Sequence, residues 1–456
     1  MWALSATNLI AAFADGSLSP VDVMQSTLDR VTAVNPAINA LFEIRAEQAL
    51  AAAQLSEERW RKNAPVGPLD GVPVTIKDSV AAEGWPYWRG VRARVGTPFS
   101  TADSPPAARL KEAGAIIFAK TTMPDFGLLA SGISSAHGIT RNPWNLQKNT
   151  GGSSSGGAAA VAAGLGPLTV GSDLAGSVRL PAAHCGLFTL KPGKGVVPHL
   201  PPSSTRVAGP ISRTVADAAL MLSVLSLPDA RALEPGASTS PDISPLDVKG
   251  LKIGLLMDMG FGPKPEPEVA ALILKAAALF ETHGATIVRI APPFSFDVFS
   301  DLNHAFSAKA ALERDELPVA RRGEILDFMT TYCDAGDRLS AEDYLRASET
   351  TDKAKKTFSD TLSPFDFVLS PVLAMASFPA DALGPDPALP CGHVNFTGLV
   401  NQMGWPAASI CCGFTADGLP IGLQIIGGSG TDMAILRLSR TYEVIRGFEP
   451  GFPLIG

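Results

Sequence analysis

The chain has 456 residues, 46% of them apolar and 18% charged, with a formal net charge of −7 at pH 7. No Lys/Arg block supplies the electrostatic footprint that nucleic acid or an anionic membrane selects, and the composition suits an enzyme-sized globular body that binds small molecules. No apolar run reaches the ~18 residues of a membrane span, and the opening Met-Trp-Ala-Leu-Ser-Ala-Thr-Asn has no basic stretch ahead of an apolar core, so a cytoplasmic protein is expected.

In chain order, residues 1–60 read as a helical N-terminal arm. Ser19 caps a helix with Pro20 in its first turn, and Val21, Met24, Leu28 and Val31 recur on one face, to be packed outside a sheet. Residues 72–76 form a short apolar strand that ends in Lys77. Ser104 and Pro105 open a helix that Gly114 closes, and a buried strand follows over 115–119. The order repeats where Pro267 opens a helix, Gly284 ends it and residues 285–290 read as strand. Residues 365–371 and 418–427 add further central strands. Such alternation predicts an α/β fold with a sheet covered on both faces. Residues 228–249, rich in Pro, Ser and Asp, read as an exposed, linker-like excursion from one body, so 1–456 is taken as a single domain; no repeat of solenoid or propeller period is present.

Three segments carry the chemistry. Lys77 ends an apolar strand, where a lysine either snorkels at a sheet edge or sits in a dry site; in the second case it loses its proton readily, as a base must. Ser153 lies in Thr150-Gly-Gly-Ser-Ser-Ser-Gly-Gly157, directly before an alanine-rich helix former, which argues against a flexible linker. A phosphate cradle is excluded by the missing Gly-Lys-Ser/Thr ending, and a dinucleotide site by the missing Gly-x-Gly-x-x-Gly. Ser177 lies in Gly171-Ser-Asp-Leu-Ala-Gly-Ser-Val-Arg-Leu-Pro181, a short turn able to aim successive N–H groups at one point. Alone, each residue has an ordinary structural reading; together they can run acyl transfer without histidine. Cys185 beside His184 reads as a small buried hydrophobe, since sequence neighbours rarely face each other. Five cysteines, with Cys411 and Cys412 adjacent, make no disulfide framework, and the six histidines make no metal-binding spacing, so neither metal nor cofactor is expected.

These segments, with Thr140-Arg-Asn-Pro-Trp144, Leu190-Lys-Pro192 and Gly418-Leu-Pro-Ile-Gly-Leu-Gln424, resemble the amidase signature family of Ser-Ser-Lys amidohydrolases over nearly the whole chain. The resemblance implies a large mixed β-sheet sandwiched between helical layers and a cis Gly152-Ser153 peptide. It implies that neutral Lys77 takes a proton from Ser153, Ser153 takes one from Ser177, and Ser177 attacks the amide carbonyl to form an acyl-enzyme. The backbone N–H groups of Leu174, Ala175, Gly176 and Ser177 would form the oxyanion hole, with Asp173 and Arg179 as a supporting ion pair. Three positions depart from the family pattern: Ala175 where glycine is usual, which would strain the hole if that residue needs a positive φ; Ser155 where glycine is common; and Thr122 where asparagine is frequent.

The expected activity is hydrolysis of a carboxylic amide to the acid and ammonia or an amine, by a protein working alone or as a homodimer. The rivals are the glutaminase (A) subunit of a tRNA-dependent amidotransferase, against which Leu180 counts because glutamine often stands there in that subgroup, and a catalytically silent binding protein, against which the intact Lys77, Ser153 and Ser177 count. By analogy the substrate pocket draws on residues 123–135, 371–378 and 391–405, where Phe126, Phe378 and Trp405 favour an apolar acyl or aryl group.

Overall fold

The computed structural model describes residues 1–240, 243–296 and 298–455. Its frame is an 11-stranded sheet in the spatial order Leu41–Phe42, Ile116–Thr121, Pro73–Lys77, Leu168–Asp173, Val207–Ser212, Phe188–Lys191, Ala407–Phe414, Pro420–Ile426, Phe367–Pro371, Lys252–Leu256, Thr286–Ile290. Apart from the antiparallel edge pair of Leu41–Phe42 with Ile116–Thr121, parallel pairs lie toward both ends of the order and antiparallel pairs through the middle, so the sheet is mixed. Strands from both sides of 228–249 join this one sheet; the described residues of that excursion form no helix or strand, and Pro241 and Asp242 lie outside the described residues.

Local signals act where they were read. Ser19 accepts from the Val21 N–H at 3.0 Å and Pro20 starts the helix Pro20–Ile38, which buries Val23, Met24, Thr27, Leu28 and Val31. Helices Pro105–Glu112 and Pro267–Thr282 begin at their prolines, and Gly114 and Gly284, at φ of +82° and +99°, turn the chain into the next strand. The arm differs in one respect: between its helices, Leu41–Phe42 adds an antiparallel edge strand to Ile116–Thr121.

Helices Pro105–Glu112, Val215–Leu225, Pro267–Thr282 and Asp432–Ile445 share the largest apolar cluster with the sheet. Two short helices, Ser155–Ala162 and Arg179–His184, meet in a smaller cluster through Ala158, Val161, Ala162 and Ala182 and have no exposed residue. A helix of Ser, Gly, Ala and Val alone has no bulk to hold it off the strands, which lets it sit at such depth. Among the described residues, no helix is long and apolar enough to cross a membrane.

Candidate active site

Strands Pro73–Lys77 and Leu168–Asp173 run parallel and adjacent, so Lys77 and Asp173 emerge at the same edge of the sheet, at the carboxyl ends where open α/β sheets carry their sites. The start of helix Ser155–Ala162 is held to that edge by the Gly156 N–H donating to the Thr122 carbonyl at 3.1 Å. The preceding Gly152-Ser153 peptide is cis. A side chain at Gly152 would lie 2.4 Å from the Ser131 carbonyl oxygen, so only glycine admits this close approach of two loops.

Lys77 is 1% exposed; its Nζ donates to Ser153 Oγ at 2.8 Å and to the Ser172 carbonyl at 3.2 Å. Burial drives its pKa well below the ordinary lysine value. Asp173 opposes that shift, Arg206 and Arg89 reinforce it, and Asp78 opposes it. A lysine so placed gives up its proton more readily than an exposed one, which is what a base requires.

Ser177 follows directly. Its carbonyl accepts from the Ser154 N–H at 3.0 Å, tying the two serine loops together. The peptide between Ala175 and Gly176 is clamped at both ends: Thr397 Oγ1 donates to the Ala175 carbonyl at 2.6 Å, and the Gly176 N–H donates to Asp173 Oδ1 at 2.6 Å. The Gly176 N–H is therefore committed to Asp173 in this conformation, whereas the N–H groups of Leu174, Ala175 and Ser177 make no hydrogen bond among the described residues. The positive φ in this loop belongs to Gly176, at +130°, where a Cβ would meet Thr397 Oγ1 at 2.4 Å; Ala175 has no positive φ, so the alanine brings no strain.

Asp173 and Arg179, both fully buried, pair through Nε and Nη2 at 3.1 Å each. Burial pushes the Asp173 carboxyl up, but Arg179, Lys191 and the Val178 N–H outweigh it and hold it well below the usual carboxylate range. Arg179 also donates to Gln424 Oε1 at 2.8 Å, to the Thr397 carbonyl at 3.2 Å and to Asn401 Oδ1, and Asn401 donates back to Asp173 Oδ1 at 2.9 Å. A buried pair with this many partners is a rigid mount for the loop it carries.

Ser177 opens onto a slot of about 30 Å³, walled by Leu128, Leu129, Ala130, Leu174, Leu180, Phe306 and Val394 among others. Leu174 and Phe306 also border a groove of about 1110 Å³ that runs out past Lys194, Lys309, Asp315 and Lys355. The slot is apolar but holds little more than one water, so an acyl group enters only if a wall residue such as Phe306 turns aside. Phe126, Phe378 and Trp405 do not line it. Phe126 packs with the helices Phe299–Asp315 and Asp327–Asp337, Phe378 stands edge-on to His184 and His393, and Trp405 joins the cluster around Phe294 and Phe358. Residues 371–378 stay behind the wall, where Val372 and Leu373 pack with Leu180 and Val394.

Two departures meet each other: Ser155 Oγ donates to the Thr122 carbonyl at 3.4 Å, while Thr122 Oγ1 bonds Thr140 Oγ1 at 2.6 Å. Both hydroxyls are satisfied in the core below the helix start. Cys185 is buried, and desolvation pushes its thiol far up, consistent with an inert hydrophobe. Sequence reasoning missed Phe306, which lies in a segment without a pattern of its own, and it named 391–405 as pocket without singling out Thr397 and Asn401, which instead hold the Ser177 loop and the Asp173–Arg179 pair; Gln424 stood inside a quoted motif, but its link to Arg179 is visible only in three dimensions.

The Amidase family matches residues 22–436 of the chain. An acylamidase of Rhodococcus erythropolis is 37% identical over 97% of this chain and 95% of its own length. The A-type component of the glutamyl-tRNA(Gln) amidotransferase of Symbiobacterium thermophilum is 32% identical over 97% of this chain and 96% of its own. Among solved structures, a bacterial aryl acylamidase described as belonging to the amidase signature enzymes superimposes with a TM-score of 0.89 at 27% identity, covering 97% of this chain and 96% of that one.

Proposed function

The chain belongs to the amidase (amidase signature) family, hydrolases acting on amides, and on that premise we propose that it cleaves amides of apolar acyl or aryl acids through an acyl-enzyme on Ser177. The observation that carries this reading is the buried Lys77 Nζ within 2.8 Å of Ser153 Oγ, beside the Ser177 loop and its apolar slot. Neutral Lys77 receives the Ser153 hydroxyl proton as Ser153 receives that of Ser177, and Ser177 Oγ bonds to the carbonyl carbon. The oxyanion that forms is met by the N–H groups of Leu174, Ala175 and Ser177, with Gly176 joining only if it leaves Asp173. The proton returns through Ser153 to the leaving nitrogen, the C–N bond breaks, and water repeats the cycle on the ester.

The test is exposure to a serine-directed fluorophosphonate, with mass spectrometry expected to place the adduct on Ser177, together with kcat/KM of the isolated protein for phenylacetamide and for glutamine. A label on another residue with Ser177 unmodified refutes the nucleophile. The second reading, the glutaminase component of an amidotransferase, is favoured by the 32% identical relative. Leu180 in the slot wall counts against it, because an aliphatic wall leaves the charged head of glutamine unpaired. Glutamine as the better substrate, or activity only with tRNA and a partner protein, would establish that second reading.

A further inference from the structure

Among the described residues three arginines are buried, and two of them face a carboxylate: Arg179 faces Asp173, and Arg89 faces Glu313. Arg206, 9% exposed, faces none. Its Nη2 donates to the Pro201 carbonyl at 3.2 Å, its Nε is buried without a partner, and among the described residues no carboxylate lies within ion-pair distance. Glu313, which acts on it from farther off, is already engaged by Arg89 and Arg94. Buried guanidinium groups are ordinarily paired, because an uncompensated charge is costly to bury.

Arg206 lines a cavity of about 330 Å³ with Lys194, His199, Ser203, Ser204 and Glu234. Both ring nitrogens of His199 are also buried and unpartnered. Burial, with Arg206, Lys77 and Arg89 nearby, lowers its pKa to about 3, so it stands there as a neutral imidazole with one N–H to donate. The one acid in the lining, Glu234, is held by Lys194 at 3.1 Å. The cavity shares Lys194, Pro202, Ser203 and Ser204 with the groove that reaches Leu174 and Phe306, and hence the Ser177 slot. Strand register sets the distance from the chemistry: Val207 pairs with Asp173 in an antiparallel ladder, which puts Arg206 one step on, opposite Leu174 at the start of the N–H loop.

We propose that Arg206 and His199 form an anion subsite for a carboxylate carried on the amine side of the substrate, so that the preferred amides are N-acyl amino acids with the acyl group in the apolar slot. The assignment rests on the proposed amidase function: with the acyl part in the slot, the leaving amine extends along the groove toward Arg206. A carboxylate there would pair with the Arg206 guanidinium, and a turn of the two side chains toward the cavity would bring the buried Arg206 Nε and a His199 ring N–H onto it, supplying the partner that these atoms lack.

The first test reads binding and is independent of turnover. Calorimetry on the Ser177→Ala protein compares N-phenylacetylglycine with its neutral isostere N-isobutyl-phenylacetamide. The expected result is a Kd about 10- to 100-fold lower for the glycine conjugate, with the ratio collapsing in Arg206→Met and partly kept in Arg206→Lys. Equal affinities, or a ratio that survives Arg206→Met, overturn the subsite. In the protein with Ser177 restored, kcat/KM should favour the conjugate by a similar factor. If free acetate instead accelerates the neutral amide and the conjugate is not preferred, the site takes a separate anion and the substrate assignment is overturned. If Arg206→Met slows both amides equally and moves the acid limb of the pH profile upward, Arg206 serves to keep Lys77 neutral, which also overturns it. Absence of hydrolysis with an intact difference in Kd would refute the amidase reading while leaving the anion site standing.

Discussion

Thr397→Val tests whether the clamped peptide sets the geometry of the candidate oxyanion site. The hydroxyl approaches the Ala175 carbonyl oxygen to 2.6 Å, whereas a methyl carbon keeps about 3.3 Å from such an oxygen, so the isosteric replacement pushes the peptide by roughly 0.7 Å. It also strips the carbonyl of a bond in a buried setting, a cost of about 1–3 kcal/mol, or a factor of roughly 5 to 150 if it is all expressed in the barrier. The neighbouring Ala175 and Ser177 N–H groups are proposed to bond an oxygen whose charge develops only on the way to the tetrahedral intermediate, so the loss should fall on kcat, with KM changing by less than about threefold. Displacement near 1 Å at a reacting centre is worth up to ~10²-fold, in the same range. The assay is steady-state hydrolysis of a neutral anilide by wild type, Thr397→Val and Thr397→Ser, with thermal unfolding measured alongside. The serine keeps the donor and should recover most of kcat. A valine variant that melts earlier but retains kcat, or a serine variant no better than valine, would refute the reasoning.

Lys77→Met should lower kcat by about 10²- to 10⁴-fold, and Lys77→Arg should not restore it because a guanidinium keeps its proton at any workable pH; near wild-type activity in the arginine variant would show that the residue acts as a charge. Because the base is the neutral amine, kcat/KM should rise with pH through the depressed Lys77 pKa and then level off. The same shift makes the unfolded chain bind one more proton between that depressed value and 10.5, so the Lys77 contribution to stability increases with pH across that window. Denaturant unfolding over a pH series should show a shallower rise in Lys77→Met, and identical slopes would contradict a neutral lysine. Phe306→Ala should open the slot and raise kcat/KM for bulky aryl-acyl amides relative to acetamide, and an unchanged ratio would mean that Phe306 does not gate the acyl group.

What the sequence determined by itself was local. An apolar run ending in lysine, prolines and glycines at helix ends, and glycine-flanked serines before an alanine-rich helix are short-range statements. The structure has a strand ending at Lys77, helices starting at Pro20, Pro105 and Pro267, and a fully buried helix just after Ser153. The ordered motifs were also enough for the family, because they span the chain. Tertiary structure alone decided which residues meet. Thr397 reaches Ala175 across 222 residues and, among the described residues, Arg206 has no carboxylate within ion-pair distance, facts that no window of sequence contains. Hydrophobicity indicated that Phe126, Phe378 and Trp405 prefer to be buried, but burial is equally satisfied in a core cluster or a slot wall, and only the packing assigned that wall to Leu128, Leu180 and Phe306. The positive φ fell on Gly176 and not on Ala175, and the space that a Cβ there would need is taken by Thr397, a residue from a distant part of the chain.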